Sequence, residues 1–332
     1  MEEQEFKAFV IEEQNGSFVR KIKTKLINDL PAGDLLIKVH YSSLNYKDAL
    51  SASGNKGVTK NYPHTPGIDA VGTIISSESD KFKINDEVIV TSYDLGMNTD
   101  GGFGQYIRVP ANWAVKLPKN LSMKESMILG TAGLTAGISV LKISKTVKPD
   151  DGKIIVSGAT GGVGSMSISI LNKLGYNVSA ITGKETEVDY LLNIGANEII
   201  LRKSFEAIEN RPLLKTSFAG AIDTVGGTIL ENIIKSIKPM GIVASCGNVA
   251  SPKLDLTVFP FILRGITLTG IASQDYPMSL REKVWNKLAN EWKPDQLSET
   301  AVEINLEELN DKIDLILKGK LKGRTVLNLI SS

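Results

Sequence analysis

Three glycines spaced three residues apart follow a buried apolar run and could bind a pyrophosphate. Gly158, Gly161 and Gly164 come directly after the run 154–157 and before a stretch with helical periodicity. Glycines allow a tight turn and a close approach to phosphate, and the first N–H groups of the helix attract negative charge. A strand, a glycine turn and a helix in this order predict a dinucleotide site. The residues expected to bind are Gly158, Thr160, Gly161, Gly162, Val163 and Gly164. The alternative is a tight helix–sheet contact without a ligand.

The residues after the second predicted strand indicate which dinucleotide binds. An NAD site usually has a carboxylate about 20 residues after the turn, where it holds the ribose 2′-hydroxyl. This chain has Thr182, Gly183 and Lys184 there, and Arg202 follows the third predicted strand. Cations favour a 2′-phosphate, so we predict NADPH. Two alternatives stay open: Glu185 could serve NAD, and both cations could be solvated surface charges.

The elements that must position these residues change character near residue 120. Before Leu117, short strand-like segments separated by glycine, proline and asparagine predict a partly antiparallel, barrel-like unit. After a helical stretch at 123–141, strands alternate with helices, which predicts βαβ units and a parallel sheet. The predicted strands of this second unit are 153–157, 177–182, 198–201, 220–224, 241–245 and 266–270.

Composition excludes several other classes of protein. A length of 332 residues favours two domains, and a net charge of +1 argues against a nucleic-acid partner. Cys246 is the only cysteine, so an intramolecular disulfide and a four-cysteine zinc site are impossible. His40 and His64, the only histidines, are expected to be structural. We see no secretory signal and no apolar stretch of about 18 residues, so we expect a cytoplasmic protein without a membrane partner.

Motifs along almost the whole chain carry a family resemblance. In sequence order the segments are 42–50 (SSLNYKDAL), 66–72 (PGIDAVG), 130–136 (GTAGLTA), the glycine turn, 223–227 (DTVGG), 260–265 (PFILRG) and 323–325 (GRT). They resemble the medium-chain dehydrogenase/reductase superfamily, in its zinc-independent branch of acrylyl-CoA reductases and quinone oxidoreductases. The resemblance implies an α/β protein. A GroES-like β-rich catalytic domain would span 1–125 and 275–332, and a Rossmann doubly wound parallel sheet would span 126–274.

The resemblance also implies the reaction. Zinc alcohol dehydrogenases of this superfamily have a Gly-His-Glu metal motif where this chain has Gly67, Ile68 and Asp69. Isoleucine cannot ligate zinc, so we expect no metal. The implied function is NADPH-dependent reduction of activated C=C bonds, foremost acrylyl-CoA-type 2-enoyl thioesters, by hydride transfer to the β-carbon. The alternatives are a quinone or enone reductase and a catalytically idle NADPH-binding sensor or structural protein.

Candidate site residues follow from the same resemblance. Tyr46 and Asn45 are expected to be catalytic and to face the nicotinamide, with Tyr46 also contacting the cofactor. Asp48 would orient its neighbours or cap the following turn. By the same resemblance Thr131 is expected to contact the cofactor. Val225, Gly247 and Asn248 are expected to do so because they follow the fourth and fifth predicted parallel strands, at whose carboxyl ends ligands bind. Ile262 and Ser273 complete the expected cofactor-binding residues. We expect Cys246 to line the cofactor floor, the substrate to be a small molecule, and the chain to form a homodimer by pairing strand 266–270 across a two-fold axis.

Overall fold

The structure is a computed structural model that describes residues 4–207 and 211–330. Its contacts divide the chain into two units. The first unit comprises Met1–Thr131, Gln274–Ala289 and Leu297–Ser332, and the second comprises Ala132–Ser273 and Asn290–Gln296. The expected divisions after residues 125 and 274 differ from these by six residues and one residue. Asn290–Gln296, which was expected in the first domain, belongs to the second unit. The chain passes from the first unit to the second inside one helix, next to Gly130, whose φ of 51° and ψ of −155° are not helical.

The strands and helices are, in chain order: β1 Glu5–Gln14, β2 Ser17–Leu26, β3 Leu35–Leu44, α1 Tyr46–Ser51, β4 Asp69–Ser77, β5 Glu87–Thr91, β6 Tyr106–Val109, β7 Ala114–Lys116, α2 Met123–Ile143, β8 Ile154–Val156, α3 Gly162–Lys173, β9 Val178–Thr182, α4 Val188–Asn193, β10 Glu198–Leu201, α5 Arg202–Glu206, β11 Phe218–Asp223, α6 Gly227–Ser236, β12 Ile237–Ser245, α7 Phe259–Arg264, β13 Thr267–Gly270, α8 Met278–Ala289, β14 Ala301–Ile304, α9 Leu309–Leu317 and β15 Arg324–Asn328.

The first unit is rich in antiparallel β-structure. Its seven-stranded sheet has the order β14-β15-β3-β4-β5-β7, with β6 also paired to β3, and only β14 and β15 are parallel. A separate hairpin joins β1 and β2. The hairpin turns at Asn15 and Gly16, which both have positive φ, as a two-residue turn between twisted strands requires. Buried apolar residues such as Ile37, Val88 and Leu327 form the core of this unit.

The second unit is a six-stranded parallel sheet with the order β10-β9-β8-β11-β12-β13. Numbered within the unit, this order is 3-2-1-4-5-6, which defines the doubly wound dinucleotide-binding fold. The central strand β8 is fully buried at Ile154, Ile155 and Val156, as expected for a strand covered on both faces. The predicted doubly wound parallel sheet is therefore confirmed, and all six of its strands were predicted from the sequence.

Helix α2 corrects one expectation. By length and composition its 21 residues could cross a membrane, although the sequence was expected to contain no such stretch. In the folded protein, 83% of its most apolar window is buried. Burial of this kind is typical of a core helix, so α2 is only weak evidence for a membrane span.

Candidate functional site

The glycine turn lies at the carboxyl end of β8, and two of its glycines are required by packing. Gly158 has a φ of 57°, and a Cβ there would lie 2.1 Å from Thr224 Oγ1. A Cβ on Gly164 would lie 2.3 Å from the carbonyl oxygen of Gly158. Gly161 differs, because its Cβ would meet only that same oxygen, at 3.2 Å. Gly158 and Gly164 therefore shape the turn, whereas Gly161 leaves space on its open side.

A buried aspartate that the sequence reasoning did not select holds this turn in place. Asp223, at the end of β11, is fully buried. It accepts hydrogen bonds from Ser157 Oγ at 2.6 Å and from the Gly226 N–H at 3.0 Å. Burial raises the pKa of Asp223. The carboxyl group thus joins the turn after β8 to the turn after β11. Asp223 could have been selected from the sequence, because it lies in the segment 223–227, where a predicted parallel strand ends.

The turn fits the pyrophosphate of a dinucleotide. Helix α3 begins at Gly162, with Gly161 as its N-cap, so the N–H groups of its first turn have no partner inside the helix. Those groups, with the open space at Gly161, form a backbone cradle that a larger side chain would fill. The donors are backbone N–H groups, and the absence of side chains at the glycines lets a phosphate approach them closely.

The residues after β9 and β10 come together beside this turn, because β9 is paired with β8 and with β10. Leu201 pairs with Thr182, so Arg202 starts α5 next to Gly183. A Cβ on Gly183 would lie 2.9 Å from the guanidinium carbon of Arg202. The Arg202 side chain is 55% exposed, and its Nε lies 4.0 Å from Glu206 Oε1. The Arg202 guanidinium is therefore accessible to an anion that binds beside Gly183.

Thr182 and Lys184 lie at the end of β9, and they differ in burial and in role. Thr182 is buried, and its hydroxyl oxygen accepts a hydrogen bond from the Lys184 N–H at 3.0 Å. The threonine thus shapes the turn after β9. Lys184 is half-buried at the same strand end.

The other expected cofactor residues of the second unit occupy different places. Val225, Gly247 and Asn248 follow β11 and β12 at the same carboxyl edge as the glycine turn. Ser273 Oγ accepts a hydrogen bond from Thr135 Oγ1 at 2.8 Å. Ile262 is 67% exposed on α7. Arg264, at the end of that helix, donates to the carbonyl oxygen of Ile237 at the start of β12, so α7 ends at the opposite edge of the sheet.

In the first unit, polar side chains converge on Asp69, which is fully buried at the start of β4. Its carboxylate accepts hydrogen bonds from Ser43 Oγ at 2.7 Å and Asn45 Nδ2 at 2.7 Å. Thr131 donates to it twice, through its hydroxyl at 2.6 Å and through its N–H. Thr131 and Asn45 are two of the expected site residues. Asp69 is the residue that positions both.

Arg324 completes this cluster and neutralises its charge. It is 4% exposed, and its Nη2 lies 3.7 Å from Asp69 Oδ2 and 2.9 Å from Ser43 Oγ. Its Nη1 donates to Asn45 Oδ1 at 3.1 Å. Buried charges are retained when they are paired and hydrogen-bonded, as here. Asp69 and Arg324 both lie in the segments that carry the family resemblance, but 255 positions separate them in sequence.

Asp48 fixes the first turn of α1. Its Oδ2 accepts from the Asn45 N–H at 2.8 Å, and its Oδ1 accepts from the N–H groups of Gly67 and Ile68 at 3.1 and 2.8 Å. Burial and the nearby Asp69 carboxylate raise the pKa of Asp48 to about 7, against these donors, which favour the charged form. Because its oxygens are occupied by backbone, Asp48 acts by holding α1.

Tyr46 and Lys47 lie on that first turn. Tyr46 is 41% exposed, although its neighbours Asn45 and Asp48 are buried. Lys47 is half-buried and donates from Nζ to Gln274 Oε1 at 2.7 Å. Asn45, Tyr46, Lys47 and Asp48 are thus presented by one short segment.

The environments of His40, His64 and Cys246 do not activate these side chains for catalysis. Burial lowers the pKa of His64, and it also lowers that of His40, so both rings are neutral near pH 7. Burial and Asp223 raise the pKa of Cys246 to about 12, so its thiol is protonated. In residues 4–207 and 211–330, no group of three or more histidine, cysteine or acidic side chains could hold a metal ion.

Two family descriptions match the chain: "Alcohol dehydrogenase GroES-like domain" over residues 31–119 and "Zinc-binding dehydrogenase" over residues 162–290. The chain is 42% identical to "Putative quinone oxidoreductase YhfP" of Bacillus subtilis, over 98% of this chain and 99% of that protein. It is 36% identical to acrylyl-CoA reductase AcuI of Ruegeria pomeroyi, over 97% and 99%.

Two solved structures have the same fold. The yhdH oxidoreductase of Salmonella enterica, in complex with NADP, has a TM-score of 0.94 and 39% identity, covering 97% of this chain and 99% of that one. Bacillus subtilis yhfP with NAD bound has a TM-score of 0.95 and 42% identity, covering 98% and 100%.

Proposed function

Since the chain belongs to the medium-chain dehydrogenase/reductase superfamily, in the branch of the acrylyl-CoA reductases and YhfP, we propose that it is an NADPH-dependent reductase of activated C=C bonds. The substrates we propose are acrylyl-CoA-type 2-enoyl thioesters. The observation that carries the proposal is a backbone cradle for a dinucleotide on a 3-2-1-4-5-6 sheet, in a chain similar over its whole length to an acrylyl-CoA reductase.

The second unit holds the cofactor in this proposal, as the dinucleotide domain expected over 126–274. The first turn of α3 and Gly161 bind the pyrophosphate, and Arg202 with Lys184 binds the 2′-phosphate. One relative is solved with NADP and another with NAD, so the choice rests on these two cations. When bound, NADPH supplies a hydride to the β-carbon of the alkene. Val225, Gly247, Asn248 and Ser273 line the same site.

The first unit supplies the groups that act on the substrate. Tyr46 donates a hydrogen bond to the substrate carbonyl oxygen, which gains negative charge during reduction. Asn45 is the neighbouring polar group, and its amide is fixed by Asp69 and Arg324. Asp48 positions both residues through α1. The reaction needs no zinc, because a conjugated carbonyl already has an electrophilic β-carbon and because Arg324, Thr131 and Ser43 occupy the Asp69 carboxylate.

A second candidate is reduction of quinones or enones, which the 42% identity to YhfP favours. It differs in needing no recognition of the CoA moiety. In either case the protein acts in the cytoplasm, as a homodimer, on a small molecule and without a nucleic-acid or membrane partner.

Consumption of NADPH with acryloyl-CoA, crotonyl-CoA, the matching pantetheine thioesters and a quinone, measured side by side, tests the proposal. Turnover of the CoA thioesters with a kcat/KM well above that of the pantetheine thioesters supports the first function. Equal turnover of both, with rapid quinone reduction, supports the second. NADPH binding without oxidation by any of them would refute both and leave a binding protein.

A further inference from the structure

Lys47 is a half-buried lysine whose partner is neutral. Its Nζ donates to Gln274 Oε1 at 2.7 Å. In the part of the chain that the structure describes, no carboxylate lies within ion-pair distance of this Nζ. Lysines of the same unit such as Lys25 and Lys124 do pair with carboxylates. A half-buried ammonium group with no directly paired carboxylate is costly to keep charged, so we ask what Lys47 does in this position.

The partner of Lys47 is itself rigidly held. The carbonyl oxygen of Gln274 accepts from Arg281 Nη2 at 2.9 Å and from the Tyr93 N–H at 3.2 Å. Arg281 is fully buried, also donates to the Thr91 carbonyl oxygen at 2.8 Å, and lies over the Tyr93 ring at 4.4 Å. The backbone of Gln274 is therefore held in place, and its side-chain amide gives the Lys47 amine a defined hydrogen-bond partner.

Burial makes Lys47 a better proton donor than an exposed lysine, although nearby carboxylates act against it. Asp48 and Asp275 favour its charged form, and the guanidinium of Arg281 is bound to the same glutamine. Burial is the largest influence, and it lowers the pKa of Lys47. An amine with a lowered pKa gives up a proton more readily at neutral pH than an exposed lysine does. It is recharged from solvent, because the side chain is only half-buried.

We propose that Lys47 is the acid that protonates the α-carbon of the substrate. The inference rests on the proposed function. The alkene gains a hydride at its β-carbon, and the electron pair of the C=C bond moves toward the carbonyl oxygen, giving an enolate. The enolate returns its electron pair to the α-carbon, which takes a proton from Lys47 Nζ, and the neutral amine regains a proton from water. The substrate is reduced by two electrons and NADPH is oxidised.

Other nearby groups are less suited to this step. Asp48 has both oxygens occupied by backbone N–H groups, and Asp69 has its oxygens occupied by Ser43, Asn45 and Thr131. Tyr46, one residue away on the same turn, is the residue proposed above to hold the carbonyl oxygen. The substrate carbonyl oxygen carries no proton to transfer to the α-carbon. In our proposal Lys47 supplies that proton.

Two variants test the role. Lys47→Arg keeps the charge but donates protons poorly, and Lys47→Gln removes the charge. We expect both to lower kcat for an enoyl thioester by about 100-fold or more, with an unchanged Kd for NADPH. Lys21→Gln, an exposed lysine of β2, is the control and should keep wild-type kcat. The fall in kcat at alkaline pH, caused by loss of the Lys47 proton, should be absent from Lys47→Arg.

Two further measurements separate proton transfer from a structural role. Ethylamine added to Lys47→Ala should restore kcat in proportion to its ammonium concentration, which no structural defect would permit. NMR of ε-labelled lysine in the cofactor-free protein should show one signal, missing in Lys47→Arg, that titrates below 10.5. A kcat within threefold of wild type in both variants, or no rescue by amine, overturns the inference. If the wild-type protein reduces no activated alkene at all, the proposed function itself has failed.

Discussion

In the proposed function Arg202 and Lys184 each act through a single charged group at a strand end. A charge-assisted hydrogen bond to a 2′-phosphate contributes about 1.5–3 kcal/mol when partly shielded. Because the Arg202 side chain is 55% exposed, we expect the lower end of this range. Arg202→Ala should therefore raise the KM for NADPH by roughly 10-fold, and adding Lys184→Ala should bring NADPH and NADH close to parity.

The control for this experiment is Lys203→Ala, an exposed cation that follows Arg202 on α5. It should leave both Michaelis constants unchanged. Steady-state kinetics with NADPH and NADH make the measurement. An unchanged NADPH preference in the double variant would mean that the phosphate is bound by other residues.

Two glycines of the turn have different roles: Gly161 leaves space for the cofactor, and Gly164 allows the turn to pack. Gly161→Val should fold with a nearly unchanged melting temperature but lose NADPH affinity by more than 10-fold, because the added atoms fill the cradle. Gly164→Val should be destabilised by about 3 kcal/mol or more, because its Cβ would lie 2.3 Å from a backbone oxygen. Thermal unfolding and fluorescence titration with NADPH measure the two effects. Equal stability of the two variants would contradict this division.

At the scale of elements, α1 depends on Asp48. In Asp48→Ala, three buried N–H groups lose their acceptor, which should cost roughly 2–5 kcal/mol of unfolding free energy. The raised pKa of about 7 adds a pH dependence. Between about pH 4 and pH 7 the folded state keeps a proton that the unfolded state has lost. The stabilisation by Asp48 therefore decreases as the pH rises through this window.

Urea unfolding at pH 5 and pH 8 measures both effects, and the loss in Asp48→Ala should be larger at pH 5. Asp29→Ala is the matched control. Asp29 accepts from the Leu26 N–H in the same three-residue arrangement, but it is exposed. Its removal should cost clearly less, and equal losses from the two variants would show that burial of the Asp48 cap is unimportant.

The elements also show what sequence could and could not predict. Strands β8 to β13 were found because each is a short apolar run between turn signals. Strand β2 was not predicted, because Arg20, Lys21, Lys23 and Lys25 interrupt its alternation and the strand is largely exposed. Helix α8 was missed for a related reason: its buried face includes Arg281, a charged residue that hydropathy assigns to solvent.

The candidate site likewise contains residues that the sequence could predict and contacts that it could not. The glycine turn, Thr182 to Lys184 and Arg202 could be predicted because local spacing places them at strand ends. The contact between Asp69 and Arg324 could not, because it depends on the pairing of β15 with β3 and of β3 with β4. Residue spacing and hydrophobic periodicity do not reveal which strands pair or in which register.

At the scale of the whole molecule, the second unit leaves an edge of its sheet open. β13 is the last strand in the order, and among residues 4–207 and 211–330 it pairs only with β12. The N–H of Ile271 points to β12, where it donates to Ser245, so the alternate residues Leu268 and Gly270 direct their N–H groups outward. Exposed apolar side chains lie on the preceding helix, with Ile262 67% and Leu263 64% exposed. An open strand edge and exposed apolar side chains both favour pairing with a second copy.

We therefore predict a dimer of two 35.9 kDa chains at micromolar concentration. Because an aspartate pair would have to be buried without partners in that contact, Ile262→Asp with Leu263→Asp should convert the dimer to a monomer that still folds. Val302→Asp is the matched control, since Val302 is 55% exposed on β14, the edge strand of the other sheet. Light scattering after size exclusion gives the mass of each variant. A monomeric wild-type protein, or a dimer that survives the double aspartate change but not Val302→Asp, would show that the open edge of β13 is not the contact.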